Sequence, residues 1–381
     1  MTDGVPWAVR APVRRARNAV ALRRVLRAQR TRWAEIAAAA PRRDGVAVSY
    51  GVERMPSPGD VVFGGHVKFA LLDEALPNAP RDFNVLYLGS SALPIEASKL
   101  VDLARRRGAA FAWNQDGAAY PGWYGDGWQL VNEPRAKLLH EADHVFFQSA
   151  FCKLSADRFY GERHGPWEVL HNPVDTQRFV PAERPDRPLT LLLGGNQYQR
   201  YRLEAALAAL PLVREERPDA RLLIAGALSF SAEAVRQTAE LLERFGVADA
   251  VELVGAYTQA EAPALMRRAD VLVHTKYNDP CPTVVLEAMA CGVPVVHSAS
   301  GGTPELVGDD GGVGIPAPLD WERDHPPAPE QLAEAVLAVA AALPTYAAGA
   351  RARSLRFDAK AWIDRHHTVF TELSRRMPRV S

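Results

Sequence analysis

Cysteine is scarce in this sequence. Cys152, Cys281 and Cys291 are the three among 381 residues, they lie far from any metal-ligand spacing, and they cannot form a disulfide framework. That suits a reducing compartment. No run of about 18 apolar residues occurs, which excludes a membrane-spanning helix. The opening residues are polar and basic and lack the apolar stretch of a secretory signal, so we expect a cytoplasmic protein. Net charge is also missing: 45 Lys and Arg balance 45 Asp and Glu for a formal charge of +0. Bulk electrostatics therefore give no reason to expect nucleic acid as a partner. No Asp-x-Asp pair occurs anywhere in the chain, so a metal held in that manner is not expected, and no other cofactor is implied.

What is present is globular composition, 48% hydrophobic and 24% charged, in a chain long enough for two domains of ordinary size. The charge is uneven. Residues 1–43 carry Arg10, Arg14, Arg15, Arg17, Arg23, Arg24, Arg27, Arg30, Arg32, Arg42 and Arg43 against Asp3 and Glu35. Residues 12–40 read as a helix with Leu22, Val25, Leu26, Gln29, Trp33 and Ile36 on one side. Two readings stay open for it: a helix packed on the first domain with a solvated basic face, or peripheral attachment to an anionic membrane surface.

From residue 46 short apolar runs alternate with helical segments. Strands are predicted over 46–51, 60–65, 83–91, 109–117, 143–149 and 167–174, and after a Pro-rich, charged linker at 181–188 over 189–195, 220–226, 251–257, 269–275, 293–299 and 312–316. Strand–helix alternation of this kind predicts an α/β architecture of two doubly wound Rossmann-like domains facing across a cleft. We place the boundaries at 1–45 for a basic helical extension, 46–185 for the first domain and 186–357 for the second. A closing helix over 358–377 lies in the final segment, 358–381. Ligands of such sheets sit at the carboxyl ends of the strands.

The most informative stretch is ADVLVHTKYNDPCPTVVLEAMACGVPVVHSASGGTPELV, residues 269–307. It reads strand, irregular loop, helix, strand, Gly-rich loop, helix. The loop ends where VVLEAMAC begins, which puts the free N–H groups of Thr283, Val284 and Val285 at a positive helix end suited to a diphosphate. Asp279 and Glu287, with seven residues between them, can accept hydrogen bonds from paired hydroxyls.

This stretch resembles the signature of the retaining glycosyltransferases of GT-B fold (glycosyl transferases group 1), which has two acids separated by seven, then EAMACGVPVV and a GG-x-PE turn. Asp279 stands where the family more often has Glu, and PCPT replaces a Gly-Phe-Gly run. Further segments match in order: HNPVDTQRFVPA (171–182), LLLGGNQYQRYRLEAALAAL (191–210) and DVVFGGHVKF (60–69). The resemblance implies that Glu287 holds the ribose of a nucleoside diphosphate sugar and Asp279 a hydroxyl of its sugar, with Pro282, Thr283 and Val284 facing sugar and phosphates. It implies a phosphate-binding Arg200, with Arg202 as the alternative, near Asn196. Gly64 and Gly65 would form a tight turn against the phosphates, with Lys68 or His66 adding charge, and the loop of Tyr257 would meet the base. Asp116, within the aromatic stretch WNQDGAAYPGWYGDGW (113–128), aligns best as the group that orients the acceptor hydroxyl. The catalytic set is thus Asp116, Arg200 and Asp279. The implied reaction is metal-independent glycosyl transfer with retention to a glycan, a lipid-linked glycan or a small molecule. A nucleotide-sugar epimerase and a non-catalytic nucleotide-sugar-binding protein are the alternatives on the same fold.

Overall fold

The computed structural model describes residues 27–40, 42, 44–55, 64–184 and 186–375. Two parallel sheets organise them. In the first, β1 (Val48–Ser49), β2 (Val85–Gly89), β3 (Ala110–Gln115), β4 (His144–Phe147) and β5 (Trp167–Val169) lie side by side in sequence order. Every residue of β2 and β3 is buried, as a parallel sheet covered on both faces requires. The second sheet runs β11-β10-β9-β6-β7-β8, all parallel. Its strands are β6 (Thr190–Leu193), β7 (Arg221–Ala225), β8 (Val251–Gly255), β9 (Val271–His274), β10 (Val295–Ala299) and β11 (Gly312–Pro316). The strand order reverses between β6 and β9, so a crevice opens at their carboxyl ends.

Helices cover both sheets. In the first half these are α1 (27–38), α2 (Gly64–Ala75), α3 (Ala97–Arg106), α4 (Pro121–Tyr124), α5 (Trp128–Glu141) and α6 (Ala150–Tyr160). In the second they are α7 (Arg200–Glu216), α8 (Ala234–Phe245), α9 (Ala262–Met266), α10 (Thr283–Ala290), α11 (Thr303–Val307), α12 (Pro329–Ala341), α13 (Leu343–Ser354) and α14 (Ala359–Arg375). In α7, Leu203, Ala206, Leu207 and Leu210 are buried, a stripe at helical spacing. Among the described residues no single helix is long and apolar enough to cross a membrane.

Two expectations change here. The strand predicted over 60–65 is not what stands at 64–65: Gly64 and Gly65 are the first residues of α2, while 60–63 lie outside the described residues. Buried Lys68, Phe69 and Leu72 follow a helical rather than an alternating period, which is why the segment coils. The basic helix is described from residue 27 onward; its predicted part at 12–26 lies outside the described residues. Over 27–38 it packs on the first domain, with Ile36 fully buried and Trp33 against the same core. Arg32 donates to the Gly51 carbonyl at 2.8 Å and Arg81 bridges Glu35 and Glu53.

The chain crosses between the halves twice, and the crossings run side by side. Val174 N donates to Phe357 O and Ala359 N to Val174 O, both at 2.9 Å, and Thr176 bonds the Asp358 carboxylate. Beyond that point α14 returns to the first sheet, where Trp362, Val369, Phe370 and Leu373 pack with Tyr50, Phe69, Tyr87 and Phe146. His366 is buried in this cluster with Nε2 2.9 Å from Tyr87 Oη.

Candidate donor cleft and its neighbouring chamber

A cleft of about 560 Å³ lies between the two sheets. Its second-domain wall is the crevice between β6 and β9. At the end of β9 the chain turns through Asn278, at φ +49°, and enters α10 at Pro282, with no side chain capping the helix. The first N–H groups of α10 therefore have no side-chain acceptor and point at the cleft, which Pro282, Thr283 and Val284 line.

Asp279 is fixed in this wall by two neighbours. His274 Nε2 approaches its Oδ2 at 3.0 Å and Lys276 Nζ its Oδ1 at 3.2 Å. Burial alone would push the Asp279 carboxyl up, but Lys276 and the His274 contact outweigh it and hold the group well below the usual carboxylate range. Burial lowers His274, so its ring is neutral and donates Nε2–H to Asp279. For Lys276, burial is outweighed by Asp279 and its pKa rises. The charged pair is thus an anchored carboxylate with a permanent cation beside it.

Glu287, one turn into α10, is 4% exposed and accepts from Gln259 Nε2 at 3.2 Å. Burial pushes its carboxyl up to about 7, with Gln259 offsetting part of the rise. Tyr257 and Gln259 line the same end of the cleft.

Of the two arginines expected near the phosphates, Arg202 lines the cleft and Arg200 does not. Arg200 opens α7 with its side chain about half exposed, is paired to Glu204 at 3.6 Å, and is absent from the cleft lining. Arg202, two residues and roughly 200° further round the helix, is buried and lines the cleft. Its Nη1 donates to Asn196 O at 2.8 Å and its Nη2 to Gly194 O at 3.2 Å, so it also braces the β6–α7 loop. Asn196 lines the cleft and accepts from Ala227 N at 2.9 Å. Gly226 stands at φ +106°, and a Cβ there would lie 2.3 Å from Gly195 O. Only glycine lets these two loops approach so closely.

Across the cleft, Lys68 and Gly65 of α2 face the donor wall. Lys68 Nζ donates to Asn114 Oδ1 and, at 3.1 Å, to Asp116 Oδ1. Asp116 follows the polar end of β3, and its Oδ2 has no partner among the described residues. Asp116 lines both the cleft and an adjacent chamber of about 150 Å³.

The two domains touch around this site. Ser149 Oγ donates to Pro280 O at 2.7 Å and Asn172 Nδ2 to Cys281 O at 2.8 Å. Glu305 of α11 accepts from Ala150 N at 2.8 Å and Phe151 N at 3.0 Å, while His171 Nε2 lies 3.0 Å from its Oε2. A second-domain carboxylate thereby caps a first-domain helix. A Cβ at Gly302 would lie 2.0 Å from Pro280 O and 2.7 Å from Ser149 Oγ, so this seam is built around a missing side chain.

Sequence reasoning missed Lys276, His274 and Gln259. The signal for the first two was two basic residues at five and three positions before Asp279; Gln259 had none, because its partner is 28 residues away in sequence.

Comparison with known proteins places this geometry. Residues 174–324 match the model of the family described as glycosyl transferases group 1. A GDP-mannose-dependent alpha-(1-6)-phosphatidylinositol monomannoside mannosyltransferase of Mycolicibacterium smegmatis is 32% identical over 258 residues, 60% of this chain and 62% of that protein. A D-inositol 3-phosphate glycosyltransferase of Segniliparus rotundus is 36% identical over 212 residues, 51% of this chain and 46% of that protein. The chain spans about half the length of the curated relatives it matches. Among solved structures, the Anabaena protein HepE in complex with UDP-glucose superposes with a TM-score of 0.62 at 19% identity, covering 81% of this chain and 82% of that one. The chain has the GT-B fold, and its residues 174–324 are similar to the glycosyl transferases group 1.

Proposed function

We propose that the protein transfers a glycosyl group from a nucleoside diphosphate sugar to a hydroxyl acceptor with retention of anomeric configuration. The observation that carries this reading is the arrangement around α10: an uncapped helix start flanked by the carboxylates of Asp279 and Glu287. Arg202 and Lys276 line the same wall. In this scheme Glu287 accepts from the ribose hydroxyls and Asp279 from a hydroxyl of the donor sugar. The N–H groups of Thr283 and Val284, with Arg202 and Lys276, meet the diphosphate.

The bond from C1 of the sugar to the diphosphate oxygen breaks, and a bond from C1 to the acceptor oxygen forms on the same face. The acceptor proton passes to the departing phosphate oxygen. Stabilising that leaving group is the main task of the fixed cations and the helix end. No metal or cofactor enters the scheme. Asp116, held by Lys68 through Oδ1, presents its second oxygen to orient the acceptor hydroxyl. The nucleotide-sugar complexes of GT-B neighbours support the donor class, and the named activities of the mannosyl- and glycosyltransferase relatives support the reaction class.

The test is a thermal-shift screen of UDP, GDP, dTDP and ADP sugars, followed by transfer assays with the donor that binds. One donor should raise the midpoint by mass action and Glu287→Ala should lose the shift. Donor should be consumed only when acceptor is present, which separates transfer from epimerisation. Folded protein that shifts with none of them would refute the assignment.

A further inference from the structure

A line of buried polar side chains crosses the first domain from α14 to the cleft. It starts at His366, which is fully buried. Its Nδ1 lies 2.9 Å from Trp362 O and its Nε2 2.9 Å from Tyr87 Oη. A carbonyl only accepts, so Nδ1 carries the ring proton. Burial brings the ring down to about 3, so it is neutral at ordinary pH and Nε2 is an acceptor. Tyr87, also fully buried, therefore donates its O–H to His366 and can only accept from elsewhere. Its neighbour there is the Asn114 side chain, which offsets part of the rise that burial imposes on the hydroxyl. Asn114 Nδ2 has no other acceptor among the described residues.

The same amide is oriented from its other end. Asn114 Oδ1 accepts from Lys68 Nζ and, at 2.7 Å, from Gln148 Nε2. Gln148 Oε1 accepts in turn from Asn172 Nδ2 at 2.9 Å, and that Nδ2 also donates to Cys281 O of the second domain at 2.8 Å. Each amide thus has one permitted orientation. Reversing Asn114 would set its NH2 against two donors, one of them an ammonium. Lys68 is 4% exposed, and a charge so buried needs its acceptors. It passes the arrangement on by donating to Asp116 Oδ1 at 3.1 Å. Asn114 itself is 1% exposed and does not line the cleft, so it reaches the site only through Lys68.

We propose that Asn114 is a positioning residue of the transfer reaction. Anchored by Tyr87 and His366 on one side and by Gln148 on the other, its oxygen fixes Lys68, and Lys68 fixes the Asp116 carboxylate. This rests on the role given to Asp116 above. Without Asn114 the lysine keeps its charged partner but loses a second acceptor, and its flexible stem lets the ammonium swing. A displacement of about 1 Å at reacting groups can cost about 100-fold in rate.

A double-mutant cycle on the full chain tests this, with the donor selected from the UDP, GDP, dTDP and ADP sugars by thermal shift. Asn114→Leu should lower kcat for transfer by about 30-fold or more and leave donor KM within about 2-fold. Its nucleotide thermal shift should persist, which shows that the fold and the donor wall survive. In a Lys68→Met background, adding Asn114→Leu should cost less than about 2-fold further, because the path it acts through is already gone. His366→Gln, which keeps an acceptor for the Tyr87 hydroxyl, should retain more activity than His366→Phe. If Asn114→Leu does not fold, Tyr87→Phe removes a single oxygen and carries the same cycle with a smaller loss, about 3-fold or more. Crystals of the unliganded variant supply a readout free of turnover: Lys68 Nζ should stand more than about 4 Å from Asp116 Oδ1. That displacement in folded protein that binds no nucleotide sugar would sink the transfer reading and leave the line assigned to placing Lys68 and Asp116. Additive losses in the cycle, an unmoved Lys68, or donor affinity falling in step with kcat would overturn the positioning role.

Discussion

The raised carboxyl of Glu287 makes donor binding depend on pH in a predictable direction. In the unliganded cleft burial pushes this group up to about 7, so at pH 6 it holds its proton in most molecules. A ribose diol donates two hydrogen bonds and needs the ionised form to accept both. Binding must therefore expel the proton, and affinity falls as pH falls. With a free-state value near 7 and only the ionised form binding, the apparent Kd is about 2-fold higher at pH 7 and about 11-fold higher at pH 6 than at high pH. The change between pH 8 and pH 6 is about tenfold, or about 1.4 kcal/mol.

The assay is titration calorimetry with a nucleoside diphosphate sugar, whose phosphodiester charges do not titrate in this range as a free terminal phosphate would. Run in buffers of different ionisation enthalpy, it should also detect release of about 0.9 proton per donor bound at pH 6 and about 0.1 at pH 8. Glu287→Gln should bind more weakly with a flat pH profile. Half-buried Asp324, pushed up to about 6, also titrates nearby but lies outside the cleft lining, and the Gln variant separates the two. Wild-type affinity that is flat between pH 8 and pH 6, or an undiminished slope in Glu287→Gln, would refute the assignment of Glu287 to the ribose. Stability moves in the opposite sense. Because the folded value lies above the unfolded one, Glu287 favours folding less as pH rises from about 4.5 to 7, so Glu287→Gln should gain on wild type toward pH 8.

The two arginines of α7 give a paired test. Arg200→Ala should change donor affinity by less than about 2-fold, since an exposed i,i+4 pair contributes little, whereas Arg202→Ala should weaken it by about 10-fold or more, because a charge-assisted phosphate contact is lost; equal effects would restore Arg200 to the site. Glu305→Gln should lower stability at neutral pH by about 1 kcal/mol through the weakened cap on α6. Its carboxyl is shifted downward: burial would raise it, but His171 and the N–H groups of Ala150 and Phe151 prevail. The stabilisation is therefore present above the unfolded carboxyl value and lost as pH falls through the folded one, so the melting curves of wild type and Glu305→Gln should converge in acid. Curves that stay parallel would remove Glu305 from the seam.

The sheets were legible because parallel strands buried on both faces read as uninterrupted apolar runs. LTLLLGG and ARLLIAG announce β6 and β7 without any partner being known. DVVFGG reads in the same way, but a three-residue apolar run does not tell where a helix begins, and at Gly64 and Gly65 what decides is Phe69 and Leu72 further along. Asp279 and Glu287 could be found because their chemistry is local to one loop and one helix. Arg200 and Arg202 could not be ranked, since only the direction of α7 relative to the cleft tells which of two nearby side chains faces inward. The chamber was half legible. Its aromatic residues at 113–128 stood out, but the strap that fixes them, residues 317–328, reads as a Pro-rich connection, and Trp321 meets Tyr120 across 200 residues of chain.

The loop that holds the proposed chemistry is also the loop by which the domains touch, and this ties the two together energetically. Asn278 N donates to Ser300 Oγ at 2.8 Å, and Gly302 N to Asp279 O at 2.8 Å, so the Gly-Gly turn holds the loop from within its own domain. The next two carbonyls, of Pro280 and Cys281, are met by Ser149 and Asn172 of the other domain. Parting the domains would strip both carbonyls of these partners at about 1 kcal/mol each and free the segment leading into α10. The aim of the N–H groups of Thr283 and Val284 is therefore set partly by residues of the other domain. Ser149 belongs to the seam, yet its removal should register in donor affinity, because the helix end it steadies is the one the phosphates would meet.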